Sequence, residues 1–251
     1  MAAKRNKAKR IRIIAGPNGS GKTTLYYLLK DLLFTGVWIN ADEILSTINK
    51  TGILDFQQIG FIPDAKSFKK FVKLSSSKKF IDDFKIADEI NKIQINTYTL
   101  TFPGKKISNE CVALLTAFFR YWLIHNNHAF TTETVMSHAS KIDLVKTARK
   151  KGYKTYLYFI ATIDPQINKM RIATRVKKGG HFVPEKKLAA RFTRSVDLLK
   201  NNLSLFDRIF VLDNSGASMR LIVSFAQGKL EKIYDNNIPL WIKSILDKEK
   251  L

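Results

Sequence analysis

The segment GlyProAsnGlySerGlyLysThr, residues 16–23, has residue types and a spacing that suit the binding of phosphate groups. It fits the pattern GxxxxGK[ST] and lies between a β-like apolar run starting at Arg10 and a helical pattern, which is the context that the pattern requires. Glycines let the backbone approach a phosphate closely, and the start of the next helix adds the positive end of its dipole. The sequence therefore predicts a nucleotide-binding P-loop.

The P-loop pattern suggests roles for most of its residues. We expect Lys22 to bridge the β- and γ-phosphates and Thr23 to ligate Mg²⁺, so ATP or GTP and Mg²⁺ are the expected cofactors. Amides from Asn18 onward can point at the phosphates, whereas Pro17 has no N–H and only shapes the entry. The predicted nucleotide-binding residues are Gly16, Asn18, Gly19, Ser20, Gly21, Lys22, Thr23 and Thr24.

Two carboxylates follow later strand-like runs. Asp42 ends the second strand-like run, whose apolar part is residues 37–39. It should therefore reach the carboxyl edge of a parallel sheet, beside the loop. There it can accept a proton from a substrate hydroxyl, hold a metal-bound water, or cap the next helix. Glu133 ends the run ThrThrGlu; it can bind substrate hydroxyls, contact a water on Mg²⁺, cap the strand end or pair with a lysine. Thr134 can add a hydroxyl contact or serve only as a β-former.

Residues 171–195 join two helical patterns across a GlyGly pair and are rich in arginine. Guanidinium groups on a hinged hairpin suit a lid that closes over ATP and neutralises developing charge, so Arg175, Arg191 and Arg194 are predicted catalytic residues. The alternative is a solvated basic face. His181, next to the GlyGly pair, is either structural or in contact with the substrate.

These residues need a scaffold, and the alternation of short apolar runs with helical patterns supplies one. It predicts the α/β class, with a five-stranded parallel sheet covered by helices on both faces. The predicted strands are 10–15, 37–39, 129–133, 154–161 and 208–213, with helices near 107–126, 140–151, 165–203, from 217, and at 238–246.

The predicted domain organisation is one kinase-like domain over residues 10–251, preceded by a basic tail at 1–9. Residues 50–106 interrupt the strand and helix alternation with lysine clusters and helix candidates at 64–74 and 80–93. They are interpreted as an inserted helical subdomain.

Composition narrows the possible partners. Among 251 residues, 43 Lys and Arg against 21 Asp and Glu give a formal charge of +22, which favours an anionic partner such as nucleotide phosphates, nucleic acid or an acidic surface. The single cysteine, Cys111, excludes an internal disulfide and a thiolate zinc cluster. No apolar stretch approaches the roughly 20 residues of a membrane span, so no membrane contact and a cytoplasmic location are expected.

Several segments taken together resemble the zeta-toxin family of P-loop kinases, and especially its chromosomal zeta-toxin-like branch. The resemblance covers about residues 10–50 and 107–225. It implies an ATP- or GTP-dependent kinase that acts on a hydroxyl of a small molecule, which for the toxins proper is UDP-N-acetylglucosamine, and an antitoxin-like protein as partner. The segments are GPNGSGKTT, AsnAlaAspGlu, ThrThrGluThr, ArgValLysLysGlyGlyHisPheValPro, ArgPheThrArgSer and ValLeuAspAsnSer.

The resemblance also implies roles by position. Lys22 and Thr23 match the nucleotide and Mg²⁺ residues, and Asp42 matches the catalytic base. The other matches are Glu133 for substrate binding, Arg175 and either Arg191 or Arg194 for the lid, and Asn214 as a nucleotide contact.

Two other functions are compatible with the residues. The charge of +22 and the basic tail suit a polynucleotide or RNA kinase. A nucleotide-dependent protein that binds nucleic acid without transferring phosphate is the alternative outside the enzymes. A substitution of Asp42 distinguishes it, because only a kinase should lose an activity.

Overall fold

The computed structural model describes residues 9–104, 106–177 and 185–247. The predicted basic tail, apart from Lys9, and His181 lie outside the described residues. The chain divides into two compact units, the first formed by Met1–Thr35 with Thr131–Leu251 and the second by Gly36–Phe130.

Strands and helices alternate over residues 10–51 and again over residues 130–177. The described strands are β1 Arg10–Ala15, β2 Val37–Ile39, β3 Ile53–Asp55, β4 Gln94–Ile95, β5 Thr99–Thr101, β6 Phe130–Thr134, β7 Lys154–Ala161, β8 Arg208–Asp213, β9 Arg220–Ala226 and β10 Lys229–Ile233. The described helices are α1 Lys22–Leu32, α2 Ala41–Thr51, α3 Phe56–Ile59, α4 Ala65–Val72, α5 Ser75–Phe84, α6 Ala87–Lys92, α7 Asn109–His125, α8 Ser140–Lys150, α9 Pro165–Lys177, α10 Glu185–Lys200 and α11 Leu240–Leu246, with a 3₁₀ turn at Leu203–Leu205.

The strands of the first unit form one sheet in the order β10-β9-β8-β7-β1-β6. Strand β1 runs parallel to β7, with Ala15 opposite Phe159, and β7 runs parallel to β8. Their apolar side chains are buried because helices cover a parallel sheet, and Leu157, Phe159 and Val211 are fully inaccessible. The mixed α/β fold with a largely parallel sheet confirms the predicted fold class.

The chain after residue 217 departs from the prediction. In place of a helix it forms β9, which is antiparallel to β8, and β10, which is antiparallel to β9, so the sheet exceeds the five parallel strands expected. The run LeuIleValSerPhe is a good strand former, and Gln227 and Gly228 both have positive φ, 51° and 87°. Such a pair forms the tight turn that a twisted hairpin prefers.

The second unit has an aromatic core around α7. Phe119 is fully buried and lies edge-on to Phe56 and Phe61, with ring centroids 6.3 and 5.2 Å apart. Phe118 contacts Phe68 in the same way, at 5.1 Å. Edge-to-face contacts between rings stabilise a core beyond the area that they bury. One helix therefore organises most of this core.

Residues 50–106 contain more than the predicted helices. Strands β3, β5 and β4 form a small antiparallel sheet that sequence analysis missed. The helix candidate at 80–93 is two helices, α5 and α6, because Lys85 takes a left-handed conformation with φ of 54° and ends the first. The assignment of 50–106 as an inserted subdomain stays a prediction.

No helix in the three described ranges combines the length and the apolar character that crossing a membrane demands. The C-terminal α11 packs by its apolar residues instead. Ile242 and Ile245 are fully buried, and the Trp241 ring lies 5.9 Å from that of Phe159.

Candidate functional site

The glycine-rich segment forms the turn between β1 and α1. Strand β1 ends at Ala15, Gly21 occupies the N-cap position with φ of 99°, and α1 begins at Lys22. The first amides of a helix have no acceptor within that helix, and the dipole places positive partial charge at the same end. The start of α1 is therefore a place where an anion such as a phosphate is stabilised.

Two glycines of the loop lie directly against other parts of the first unit. A Cβ atom at Gly16 would collide with the carbonyl oxygen of Ile160 at the end of β7. A Cβ atom at Gly21 would collide with the side-chain amide of Asn214, and both glycines have positive φ, 144° and 99°. Any side chain here would force the loop away from its supports.

Lys22 and Thr23 meet Glu133 at the end of β6. The Thr23 hydroxyl donates a hydrogen bond of 2.7 Å to Glu133 Oε2, and the Lys22 ammonium lies 3.7 Å from Oε1. Lys22 Nζ also donates to the carbonyl oxygen of Pro17 at 2.9 Å, inside the loop. Lys22 is only 6% exposed, so its charge is held by these contacts within a nearly closed site.

The same residues offer oxygen ligands for a divalent cation. The Thr23 hydroxyl and the Glu133 carboxylate are adjacent, and hard cations such as Mg²⁺ prefer such oxygens. The Ser20 hydroxyl is buried in the loop without a hydrogen-bond partner among the described residues, as expected where a ligand supplies one. Within the described ranges, no group of three or more His, Cys, Asp or Glu residues forms a separate metal cluster.

Helices α9 and α10 both contact the loop. A Cβ atom at Gly19 would lie 2.7 Å from the carbonyl oxygen of Asn168 in α9. Ile172 of α9 and Leu188 of α10 form a buried cluster that Val176 joins. This packing holds the described parts of the predicted lid together near the loop.

The predicted lid arginines differ in their positions. Arg191 Nη1 donates a hydrogen bond of 3.3 Å to Asn18 Oδ1 in the loop. Arg194 is exposed and Arg175 is partly buried. Arg171, which was not among the predicted site residues, donates from Nη1 to the carbonyl oxygen of Asn214 at 2.8 Å. The contact of Arg191 with Asn18 thus joins α10 to the loop.

Asn214 contacts the loop through its side chain. Its Nδ2 donates to the carbonyl oxygen of Ser20 at 2.8 Å, and its contact with a nucleotide stays a prediction. Asp213 and Ser215, on either side, are hydrogen-bonded to each other. No local pattern in the sequence indicates a contact between Ser20 and Asn214.

Asp42 lies in the second unit, in the first turn of α2, rather than at the end of β2. The cap of this helix is Asn40, whose Oδ1 accepts from the amides of Asp42 and Glu43 at 2.9 and 3.4 Å. The alternative role of Asp42 as an N-cap is therefore filled by another residue. Its side chain is exposed, and its proximity to the loop stays a prediction.

Two further predicted site residues have less informative surroundings. The Thr134 hydroxyl accepts a hydrogen bond of 3.2 Å from the amide of Met136, which leaves its O–H group able to donate elsewhere. Thr24, in the first turn of α1, is exposed. Neither contact decides between a structural role and a ligand contact.

The family model described as Zeta toxin matches residues 105–222. Among curated proteins, an uncharacterized protein of Haemophilus influenzae is 37% identical over 65 residues, which is 26% of this chain and 46% of that protein. The chain thus spans less than half the length of this relative.

Two solved structures share the fold at low sequence identity. A chain of the AvrRxo1-ORF1:-ORF2 crystal structure with ATP has a TM-score of 0.54 and 12% identity, covering 96% of this chain and 63% of that one. A chain from the PezAT chromosomal toxin-antitoxin system of Streptococcus pneumoniae has a TM-score of 0.52 and 13% identity, covering 97% and 85%. Residues 105–222 thus match the Zeta toxin family model, and the chain shares its fold with these two structures.

Proposed function

We propose that the protein is a Mg²⁺-dependent kinase that transfers the γ-phosphate of ATP or GTP to a hydroxyl group of a small molecule. The observation that carries this proposal is the meeting of Lys22 and Thr23 with Glu133 at the start of α1. A cation, a hydroxyl and a carboxylate at a helix N-terminus are what phosphoryl transfer from a nucleoside triphosphate needs.

In this proposal the loop binds the triphosphate through the amides of its predicted nucleotide-binding residues. Lys22 exchanges the Pro17 carbonyl for phosphate oxygens, because the ammonium group is a point charge on a flexible stem. Thr23 and Glu133 would hold Mg²⁺, and the ion would supply positive charge beside the polyphosphate.

The contact of Glu133 with Thr23 bears on its predicted role. A carboxylate that accepts a hydrogen bond from the Thr23 hydroxyl suits a metal site better than a substrate site. Substrate binding then falls to Thr134 and His181 among the predicted residues.

The arginines and Asp42 complete the proposed reaction. Asp42 accepts the proton of the acceptor hydroxyl as its oxygen bonds to the γ-phosphorus, and the bond from that phosphorus to the β–γ bridging oxygen breaks to release the nucleoside diphosphate. Arg191, which already contacts Asn18, stabilises the transferring group. Arg175 and Arg194 are proposed to assist it from the lid.

The acceptor that the resemblance to the zeta-toxin family favours is a UDP-activated amino sugar, the substrate class of the toxins proper. The PezAT structure comes from a toxin-antitoxin system, and the AvrRxo1-ORF1:-ORF2 structure contains ATP. By analogy, an antitoxin-like protein is the proposed partner and ATP the proposed nucleotide.

Phosphorus NMR of the protein with Mg²⁺-ATP and a panel of nucleotide sugars tests the proposal. A new phosphomonoester signal on one sugar is expected, and Asp42→Asn should abolish it with little change in ATP binding. The chain offers a matched control, since AlaAspGluIle occurs both at 41–44 and at 87–90, each time at the start of a helix. Asp88→Asn should leave transfer unchanged, and retained turnover in Asp42→Asn would remove Asp42 from the role of base.

A nucleic-acid kinase is the second candidate, because the net charge of +22 attracts polyanions. The same assay with a 5′-hydroxyl oligonucleotide in place of the sugars tests it, and binding should weaken steeply as salt is added. ATP binding without transfer to either acceptor would leave the non-catalytic alternative.

A further inference from the structure

The turn Asp213-Asn214-Ser215 begins at the last residue of β8 and is fixed at every residue. The Asp213 carboxylate is buried and accepts from the Ser215 hydroxyl and, at 2.9 Å, from Arg220 Nη2. The Ser215 oxygen in turn accepts from the amide of Ile163 at 2.7 Å. A turn held by so many hydrogen bonds is a rigid support rather than an adaptable loop.

The backbone of Asn214 is held on both sides as well. Its amide donates to the carbonyl oxygen of Ala161 at 2.9 Å, and its carbonyl oxygen accepts from Arg171 Nη1 at 2.8 Å. The side chain therefore projects from a fixed position. Its Nδ2 donates to the carbonyl oxygen of Ser20 across 194 positions of sequence.

This contact determines the orientation of one peptide group of the loop. A trans peptide is planar, and its C=O and N–H bonds point in opposite directions. With the Ser20 carbonyl held by Asn214, the N–H of Gly21 points away from Asn214. The absence of a Cβ atom at Gly21 allows this approach, because such an atom would collide with the Asn214 amide.

We propose that Asn214 is a positioning residue that orients the Ser20–Gly21 peptide so that the Gly21 amide donates to a nucleotide phosphate. This inference rests on the proposed binding of a nucleoside triphosphate by the loop. It differs from the role that family resemblance implied, which was a contact with the nucleotide itself. A positioning role affects every ligand that carries the polyphosphate, whereas a contact with the base affects only ligands that have a base.

The experiment compares two ligands, Mg²⁺-ATP and inorganic Mg²⁺-tripolyphosphate, by titration calorimetry. Asn214→Ala removes the donor to Ser20, and Asn214→Asp replaces it with an oxygen that repels the carbonyl. We expect each variant to bind both ligands about tenfold more weakly, with the same factor for the two ligands in a given variant. Loss for ATP alone, or no loss for either ligand, would overturn the inference.

Asn202 supplies the matched control. Its Nδ2 donates to the carbonyl oxygen of Leu198 at 2.8 Å in the same unit, so it makes the same kind of bond without touching the loop. Asn202→Ala and Asn202→Asp should bind both ligands as the unchanged protein does. Equal weakening in these controls would assign the effect of Asn214 to general destabilisation and overturn the inference.

Arg171→Gln keeps the test decisive if the Asn214 variants fail to fold. This change weakens the support of the Asn214 carbonyl while leaving the side-chain bond to Ser20, so binding of both ligands should fall about threefold. Unchanged binding would overturn the inference in that case. The proposed function is tested separately. It fails if the unchanged protein and the Lys22→Ala variant alike bind neither ligand.

Discussion

The loop of the first unit and the aromatic core of the second unit are stabilised by different kinds of contact. Around the loop, polar groups from distant parts of the chain converge, such as Glu133 on Thr23 and Asn214 on Ser20. In the second unit, Phe119 sits among other rings, and polar side chains mostly form local helix caps, such as that of Asp64 with the amide of Ser67. Substitutions at the loop should therefore impair binding more than folding, and substitutions among the rings should do the reverse.

Each unit contains a probe that reports on it separately. Cys111, the single cysteine, is fully buried in the second unit, and burial followed by the charge of Glu89 raises the pKa of its thiol to about 12. Its labelling by a thiol reagent therefore requires that unit to open. Trp241 fluorescence reports the unfolding of the first unit, provided that Trp38 and Trp122 are replaced by Phe.

The largest expected effect is that of Phe119→Ala. Removal of a fully buried ring that contacts other rings should lower the free energy of unfolding of the second unit by about 3–5 kcal/mol. Cys111 should therefore become labelled at a lower denaturant concentration, while affinity for Mg²⁺-ATP changes little. Phe84→Ala, at a ring that is 50% exposed, is the control and should cost about 1 kcal/mol or less. A tenfold loss of ATP affinity in Phe119→Ala would break the distinction between the units.

Glu133→Gln should show the opposite pattern. Loss of the carboxylate leaves Lys22 without this counter-charge and removes a proposed Mg²⁺ ligand, so Mg²⁺-ATP binding should weaken at least about tenfold. The cost to the first unit, followed by Trp241 fluorescence, should be about 2 kcal/mol. Glu231→Gln, in a partly exposed pair with Arg208, is the control and should change either quantity only slightly. Equal losses in both variants would contradict the role of Glu133.

Asp64→Ala tests the local caps of the second unit. Asp64 accepts from the Ser67 amide at 2.7 Å at the start of α4, and loss of such a cap should cost about 1 kcal/mol. Cys111 labelling should detect this loss, and ATP affinity should stay the same. Asp64→Asn, which retains a capping oxygen, should recover most of the stability, and failure to do so would argue against the cap.

The smallest expected effect depends on pH. Burial raises the pKa of Asp207, but hydrogen bonds from the Thr155 amide, Lys154 and the Thr155 hydroxyl outweigh it, so the pKa is lowered overall. A carboxyl whose pKa is lower when folded stabilises the protein above its unfolded pKa of about 3.9 and ceases to do so as pH falls through the folded value. The stability difference between the unchanged protein and Asp207→Asn, followed by Trp241 fluorescence, should therefore be roughly constant from pH 7 to 5 and shrink below pH 4. A difference that does not vary with pH would refute this assignment.

The parts of the molecule that could be predicted from the sequence are those set by local patterns. The loop between β1 and α1 follows from its glycines and their flanking runs, and α7 follows from an apolar pattern that begins after the cap Ser108. The run LeuIleValSerPhe before Gln227 and Gly228 is also a usable signal for a hairpin, and the predicted helix from 217 is wrong there.

The contacts that give the site its geometry depend on the tertiary fold and have no local pattern. Asn214 and Ser20 are 194 positions apart, and Thr23 and Glu133 are 110 apart, so spacing in the sequence carries no information about them. Asn40 rather than Asp42 caps α2, since both types make good caps and only the structure shows where the helix begins.

The way the chain returns to the first unit has a consequence for its synthesis. Strand β1 pairs with β7, where Arg10 faces Lys154, and the second unit is made in between. A growing chain on the ribosome thus carries the finished loop sequence long before Glu133, Arg191 and Asn214 exist to support it. The second unit is continuous in the chain and can fold early, whereas the contact of Asn214 with the loop can form only after the chain has been made through β8.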